Sequence, residues 1–528
     1  MKLLLMTATP MFNNVQEIIL LMNLLLINDK KAPISQNQIL DEDGTLVEGA
    51  DAILKPIANA YISFMRGENP NSFPIRLYPK MESVLRIKAD TYPQFEFSKE
   101  VNKDVDEDDK NDMEKLPLIN SECPEGSLSH TVMEELTQEG AKRGTGYQIR
   151  DKLLQAGNCV FPVESDNYDD CVGLAGFQKI FKKDKKQYTA TDASWLKEEE
   201  FGNFSPKCAT ILHCLKHCDG LAFVYSRFVT TGALIMALAL EANGYTIHGR
   251  GSLLGNRIQG GAGRQCAKCP MRENGHQGDH AFVPAKYVIL TGDKEISPNN
   301  KESIQVARSD NNFDGGLIKV ILGSQIAGEG IDLRFIREVH ILDAWFHLNK
   351  TEQIIGRGIR FCSHSKLDIS KRNTTVFLHV LTVPGLDMET SDLYSYRSAL
   401  RKAILVGQVS RKLKEFAVDC NLRKEVTVLR GLGRRIQIDS QGLKRDREDD
   451  DPEGKREGIR IDDVDFTAIC DWMECPYTCS PNVDVNLETS DDSTYTAFSA
   501  RYREMKLQIL VCACLFFEIF HFKMSVQK

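Results

Sequence analysis

The sequence predicts an α/β protein built on a doubly wound parallel sheet. Three observations carry that reading. Apolar runs read as strands at Leu221–Tyr225, Tyr287–Leu290, Ile318–Leu322, Val339–Leu342 and Thr375–Leu381. Helical stretches stand between them, with Thr231–Ala242 ending before Gly244 and another helix opening at Thr351–Arg360. The alternation holds from about Ser205 to Leu381, and strand–helix alternation of that kind builds a parallel sheet covered on both faces.

Upstream, Lys2–Met6 reads as a buried strand and Thr7–Asn13 as a tight connection. A helix is expected next, with Asn14 as its N-cap and Glu17 completing a capping box. Val15, Ile18, Ile19, Met22, Leu25 and Leu26 recur at helical spacing along it. Parallel strands normally lie between neighbours, so a strand beginning at residue 2 reads as a sequence entering in the middle of a fold. Two stretches dense in charge, Lys99–Lys115 and Lys444–Glu457, read as solvated linkers; the second also holds Pro452 and Gly454. They frame four segments: 1–80, 81–204, 205–385 with a Cys/His insert at 255–285, and 386–528 with the charged linker at 444–457.

With 528 residues the chain exceeds one hydrophobic core, and about two to four domains are expected. Its 42% hydrophobic and 27% charged residues are ordinary for a globular protein. A net charge of −8 does not by itself point to a nucleic-acid partner; local asymmetry matters more. No signal-peptide pattern precedes Thr7, so the fifteen cysteines are read in a reducing compartment, as metal ligands or buried apolar thiols rather than disulfides. The apolar run Ile509–Phe517 is followed at once by Glu518 and His521. It is shorter than the roughly 20 residues a spanning helix needs, so a buried or partner-facing helix is expected and no membrane association.

Three segments carry the chemistry: Thr7-Ala8-Thr9-Pro10, then Gly323–Leu333 (GSQIAGEGIDL), then Gln353–Arg360 (QIIGRGIR). Singly each is weak, since Gly-Glu-Gly alone marks only a flexible loop. In this order and at these distances they resemble motifs III, V and VI of superfamily 2 helicases. Leu221–Ser226 is similar to motif IV, the first strand of a second RecA-like domain. The resemblance implies a complete second RecA-like domain, a partial first one, insertions and a C-terminal extension. It makes Arg357, Arg360 and Gln353 the catalytic candidates. An arginine reaching across a cleft to the γ-phosphate is worth roughly 10³ to 10⁵ in rate. Arg357 and Arg360, three apart on what reads as a helix start, can face one side, with Gln353 one turn earlier. Gly328, Glu329, Gly330 and Asp332 are the nucleotide-binding candidates, Asp332 to orient a ribose or the facing arginine. Thr7, Thr9, Ser226 and Ser324 are candidates for coupling nucleotide state to nucleic-acid grip. The plain alternatives stay open: a solvated, salt-bridged helix face for the arginines, and turn or capping chemistry for the threonines.

Further stretches narrow the resemblance. Met6–Asn13, Arg66–Pro70 with Phe73-Pro74, and Phe282–Tyr287, added to the segments above, are similar to helicases of nucleocytoplasmic large DNA viruses. These are relatives of the poxvirus early-transcription-factor small subunit and nucleoside triphosphate phosphohydrolase I. That family implies an ATP-driven motor on DNA with ATP and Mg²⁺ as cofactors. It also implies a viral RNA polymerase or transcription-factor subunit as partner, in the virion and the host cytoplasm. The departure is large. No Gly-Lys-Ser or Gly-Lys-Thr occurs anywhere, so the phosphate-cradling P-loop is missing, and with it an acidic motif for magnesium. Ile39–Gly44 imitates the acidic motif but reads better as a turn. The expectation is an N-terminally truncated or split motor, inactive alone, whose P-loop comes from an upstream fragment. The rival reading is a non-enzymatic, helicase-like binding subunit of a viral transcription complex.

The insert between motifs IV and V spaces Cys266, Cys269, His276 and His280 as Cys-x₂-Cys-x₆-His-x₃-His. That ligand set suits a tetrahedral structural zinc, with ordinary loop residues as the alternative. Cys470, Cys475 and Cys479, with Cys420 as a distant fourth, read as buried thiols rather than a metal cluster. His213, Cys214, His217 and Cys218 read as helix packing residues. From Arg401 to Arg435 ten Lys or Arg face three Asp or Glu. That excess could track phosphates or be a plain exposed basic helix.

Overall fold

The computed structural model describes residues 3–68, 72–79, 87–97, 104–143, 146–255, 263–277, 279–325, 331–422, 428, 435–436, 459–460 and 463–483. In chain order the elements are α1 (Glu17–Asn28), α2 (Ala50–Tyr61), β1 (Ile75–Leu77), α3 (Glu107–Lys115), β2 (Leu118–Glu122), α4 (Leu128–Arg143) and α5 (Tyr147–Asn158). After these come α6 (Gly173–Ile180), β3 (Phe181–Asp184), β4 (Gln187–Ala190), α7 (Glu198–Phe201), α8 (Pro206–His217), β5 (Leu221–Tyr225), α9 (Ile235–Ala242), β6 (Thr246–Ile247) and β7 (Lys286–Leu290). The last are α10 (Asn300–Ala307), β8 (Val320–Gly323), β9 (Ile336–Ile341), α11 (Leu348–Gly358), β10 (Asn373–Thr382) and α12 (Ser391–Glu415).

Eight strands form one sheet in the order β1-β10-β9-β5-β8-β7-β6, with β2 also paired to β10. Every pairing in it is parallel. Both faces are buried, and β5, β7 and β8 are accordingly apolar along nearly their whole length. On one face Ala222, Val224, Ile289 and Leu322 meet Ile211 and Leu215 of α8 and Ile235 to Leu240 of α9. On the other, Leu221, Phe223, Tyr225, Val339 and Ile341 meet Ile354 and Ile355 of α11 and Tyr396 to Leu400 of α12. The sheet reaches beyond 205–385, because β1 and β2 extend it along the two halves of β10.

Residues 3–7 form no strand, against the sequence reading: Leu4 and Met6 are 80% and 82% exposed. A short apolar run becomes a strand only where a ladder partner accepts its backbone groups, and none does here. Helix α1 forms, but Asn14 does not cap it. Gln16 stands at the cap position, and the Glu17 carboxylate reaches back to accept from the N–H groups of Phe12 at 2.6 Å and Asn13 at 3.3 Å. Its inner face, Ile18, Met22 and Leu26, with Val15 just before it, joins α2, Val409 and Leu413 of α12, and Phe416 just past the end of α12 in a satellite core. Asp41–Gly44 is the expected turn, with the Gly44 N–H donating to the Asp41 carbonyl at 3.3 Å and Gly44 at φ 87°.

The acidic stretch is only partly outside the fold. Its described part carries α3, whose Asp109, Lys110 and Met113 are buried. Asp109 accepts from Arg397 at 3.1 Å and also pairs with Arg401. The second charged stretch, 444–457, and the apolar tail 509–517 lie outside the described residues. Among the described residues no helix is long and apolar enough to cross a membrane.

Two disulfides, Cys420–Cys479 and Cys470–Cys475, replace the expected buried thiols. The segment 463–483 lies against the C-terminal half of α12, which brings the four cysteines together in pairs. A Cβ on Gly407 would overlap the Asp471 carbonyl oxygen, so the crossing needs glycine there. Cys214 of α8 and Cys218 just past its end are buried, as read, and burial pushes both thiols well up. His213 and His217, against the reading, are exposed on the outer face, where their rings lie 4.9 Å apart, and do not pack in the core.

Candidate functional site

Helix α11 carries the site because its two faces differ. Leu348, Thr351, Ile354, Ile355 and Gly358 are buried toward the sheet. A Cβ on Gly358 would press against the Ile336 and Val339 methyls at 3.1 Å, so glycine lets the helix end close on β9. Gln353 and Arg357, four apart and half-buried, share the outward face. Arg357 lies in the last turn of the helix and Arg360 two residues beyond its end, not both at a helix start as the spacing suggested. There the partial negative charge of the helix terminus favours cations.

The strand topology separates two ends of the site. At the α11 C-terminus the Arg357 carbonyl accepts from the Leu333 N–H at 3.1 Å. Arg360 Nε lies 3.2 Å from Asp332 Oδ1, both side chains open to solvent, so Asp332 faces the arginine. Gly328, Glu329 and Gly330 lie outside the described residues. Behind the helix, Glu352 pairs at 2.8 Å with the buried Arg76 guanidinium, which also meets Glu68 at 2.7 Å. Just downstream, His364 is buried, its Nε2 bonded to the Ile336 carbonyl at 2.9 Å.

At the opposite end, where β5, β8 and β9 finish, the coupling candidates sit deeper than expected. The Ser226 hydroxyl donates to Asp343 Oδ1 at 3.0 Å, and the Arg227 N–H to Oδ2 at 2.5 Å. The Asn158 amide adds a third bond to Asp343. Lys207, fully buried, donates to the Leu342 carbonyl at 3.1 Å and to Asp392 at 2.7 Å. Burial pushes the Asp343 carboxyl up in pKa, against Lys207 and the three donors. Ser324 is buried beside the Leu290 carbonyl. Ser226 and Ser324 thus sit in the interior at the strand ends, Ser226 within the Asp343 network and Ser324 on the Leu290 carbonyl. Thr7 is exposed and its hydroxyl accepts from the Thr9 N–H at 3.0 Å, a local turn bond. The Thr7–Asn13 segment touches α11 itself: the Asn349 amide donates to the Met11 and Phe12 carbonyls at 2.9 and 3.0 Å.

Sequence reasoning missed Asp343, Lys207 and Asp392, and an aromatic–cation cluster above them. Arg227 lies over Phe228, Trp345 and Phe346, and Arg150 over Phe346 and Tyr394, at 4.5 to 5.7 Å. The available signal was Asp343-Ala344-Trp345-Phe346 directly after a strand.

A family model described as the helicase conserved C-terminal domain matches residues 284–362, from the approach to β7 to just past α11. A protein of Acanthamoeba polyphaga mimivirus named as an ATP-dependent RNA helicase is 27% identical over 447 residues, covering 82% of this chain and 63% of that protein. A second mimivirus protein of the same description is 26% identical over 515 residues, covering 91% of this chain and 42% of its own length. An early transcription factor large subunit homologue of African swine fever virus is 23% identical over 449 residues, covering 78% of this chain and 36% of that protein. Residues 284–362 thus carry a helicase conserved C-terminal domain, and the chain is similar to superfamily 2 helicases of nucleocytoplasmic large DNA viruses. It spans between about a third and two thirds of the length of these relatives.

The sheet is RecA-like, and the matched segment holds α11 and both arginines. The basic stretch after Arg401 is largely spent inside the fold. Arg411 is buried, donating to Asp471 at 3.1 Å and to the Cys470 carbonyl at 2.6 Å. Lys414 meets Asp471 at 2.6 Å and Lys412 meets Asp51 at 3.1 Å. The described part of that stretch is therefore not an open phosphate track, because acids from distant segments neutralise it. Most of 423–434 lies outside the described residues.

The stability of the chain should respond to acid through His364. Burial holds its imidazole down at a pKa of about 3, with Arg337 and Arg372 opposing protonation further. The unfolded chain takes up that proton near pH 6.5, so between about 6.5 and 3 it binds more protons than the native state. Stability then falls as pH falls. At pH 5 the share of His364 is about 2 kcal/mol. Chemical unfolding of wild type and His364→Asn at pH 7 and pH 5 measures it: the variant should lose less on acidification, and equal losses would exclude the role.

Proposed function

We propose that this chain is the arginine-bearing, nucleic-acid-coupling part of an ATP-driven DNA translocase or helicase of viral transcription. The observation that carries the reading is α11, which holds Gln353 and Arg357 on the face away from the core while Asp332 steadies Arg360. In this reading Arg357 and Arg360 stabilise charge developing on the γ-phosphate of Mg²⁺-ATP, and Gln353 orients the attacking water. The 328–330 loop and Asp332 approach the nucleotide. Thr7 and Thr9 lie on a segment bonded to the first turn of α11, so a shift there reaches the arginine helix. Ser226 and Ser324 set the strand ends beneath the nucleic-acid face.

The names of the relatives support an ATP-dependent helicase in a transcription setting, and DNA as the track rests on the resemblance seen in the sequence. No Gly-Lys-Ser or Gly-Lys-Thr occurs in the chain, so the P-loop and the magnesium-holding acid come from another polypeptide or segment. The partners are DNA, that P-loop element and a viral RNA polymerase or transcription-factor subunit, in the virion and host cytoplasm.

Steady-state ATP hydrolysis by the purified chain, alone and with DNA or RNA, tests this. Turnover no higher than in Arg357→Ala is expected. DNA-stimulated hydrolysis by the chain alone, abolished in that variant, would overturn the half-motor reading. Stimulation by RNA in place of DNA, once the P-loop element is supplied, would overturn the choice of track.

A further inference from the structure

The insert between β6 and β7 holds four side chains whose arrangement the ATPase reading leaves unused. Cys266 Sγ lies 3.5 Å from His280 Nε2, and Cys269 Sγ lies 3.4 Å from His276 Nε2. All four ligand atoms fall within 4.8 Å of one another. We propose that Cys266, Cys269, His276 and His280 bind one structural zinc ion.

The spacing of the atoms is that of a coordination shell. Zinc lies about 2.3 Å from a thiolate and about 2.0 to 2.1 Å from an imidazole nitrogen, which puts sulfur and nitrogen roughly 3.6 Å apart across a tetrahedral angle. Both sulfur–nitrogen pairs are within about 0.2 Å of that value. Two thiolates and two neutral imidazoles complete the tetrahedron with no position left for water or substrate, so the ion would be structural rather than catalytic.

The surroundings are built to hold the ligands in place. His280 Nδ1 meets Asp279 Oδ1 at 3.1 Å, which fixes the proton on that nitrogen and turns the Nε2 lone pair toward the sulfurs. The Gln265 side chain, almost completely buried, donates to the Cys269 and Met271 carbonyls at 3.1 Å each. It thereby fixes the turn that carries both cysteines. Ala267, between them, is fully buried in the core beneath α8 and α9. The knuckle is fastened to the sheet edge as well. The Ala267 N–H donates to the Val283 carbonyl at 2.7 Å, the Ala285 N–H to the Gln265 carbonyl at 2.8 Å, and Lys268 pairs with Asp314 at 2.8 Å. The ion would therefore lock the insert onto the start of β7, at the sheet edge closed by the two-residue strand β6. It lies away from α11, so metal and arginine chemistry are separable.

The test uses the full chain purified without added metal. Elemental analysis should give one zinc per chain, and cobalt exchanged into the protein should show the visible absorption of a tetrahedral thiolate–imidazole site. Cys269→Ser combined with His276→Ala should remove the zinc. Asp279→Ala, which changes only an exposed carboxylate, should weaken zinc binding by about 10- to 100-fold with the fold intact. Chelation should open tryptic cleavage at Lys268 and Arg272 while the rest of the chain stays protected. Zinc retained at one per chain in the double variant would overturn the proposal. So would a folded, metal-free wild type whose Lys268 and Arg272 are equally protected with and without zinc.

Discussion

Arg357→Ala in any assembly of this chain that hydrolyses ATP is expected to lower kcat by about 10³- to 10⁵-fold. The reasoning is electrostatic. A guanidinium at the γ-phosphate stabilises charge that is larger in the transition state than in bound ATP, so its loss falls on kcat more than on KM. The fold should not suffer, because Arg357 is half-buried on the outer face of α11 and the helix is held by Ile354, Ile355 and Gly358. Arg357→Lys should rescue little, since a single ammonium cannot reproduce the planar fork. Arg360→Ala should cost less, because Asp332 already offsets part of its charge and both side chains are open to water. Rapid-quench measurement of the hydrolysis step, with circular dichroism as the fold control, reads all three. An Arg357→Ala assembly that turns over within about threefold of wild type would make the arginine an ordinary surface cation.

Arg397→Met is expected to destabilise the chain by about 3 to 5 kcal/mol. Arg397 lies on α12, and its guanidinium meets Glu389 at 2.6 Å and Glu96 and Asp109 at 3.1 Å. Glu389 is fully buried and also accepts from Tyr92 at 2.9 Å. Removing the arginine strands that carboxylate without a counter-charge, which is why the loss far exceeds that of a surface pair. Thermal unfolding should shift down by roughly 3 to 5 °C in a chain of this length. Arg401→Ala is the control: its side chain is 56% exposed, and a cost below about 1 kcal/mol is expected. Combining Arg397→Met with Glu389→Gln should recover part of the loss, because the stranded charge goes with it. A single-variant loss under 1 kcal/mol would show that the network does not hold α3 and the 87–97 segment.

This network also shows where sequence reading fails. Residues 104–115 look like solvent-exposed linker because Asp and Lys dominate them, yet Asp109 is buried by arginines about 290 positions away. Local composition carries no trace of such a partner. The same holds for Cys420 with Cys479, and for Arg411 with Asp471, where a basic stretch meets its acids only after the chain returns. The central strands were legible for the opposite reason. A parallel strand covered on both faces must be apolar along its length, and Leu221–Tyr225 is so in the sequence and in the sheet. Strands β1 and β2 escaped because they are short and lie at the edge. The arginines were legible as a motif, but their place at the end of α11 was not, because helix boundaries depend on where Gly358 meets β9. Asp343 escaped because one carboxylate after a strand has no pattern until Ser226, Asn158 and Lys207 gather round it.

Helix α12 carries a consequence of another kind. Its 25 residues extend for about 37 Å. Tyr396, Ala399 and Leu400 near its start belong to the sheet core, while Val409, Leu413 and Phe416 near its end form one wall of the satellite core with α1 and α2. Two cores that share a rigid wall do not melt independently, so α1 and α2 borrow their cooperativity from the sheet rather than folding as a separate unit. The Thr7–Asn13 segment is thereby gripped twice, through α1 on α12 and through Asn349 on α11. A displacement of that segment becomes a mechanical load on both helices at once, and the sheet behind them is the anvil against which it is felt.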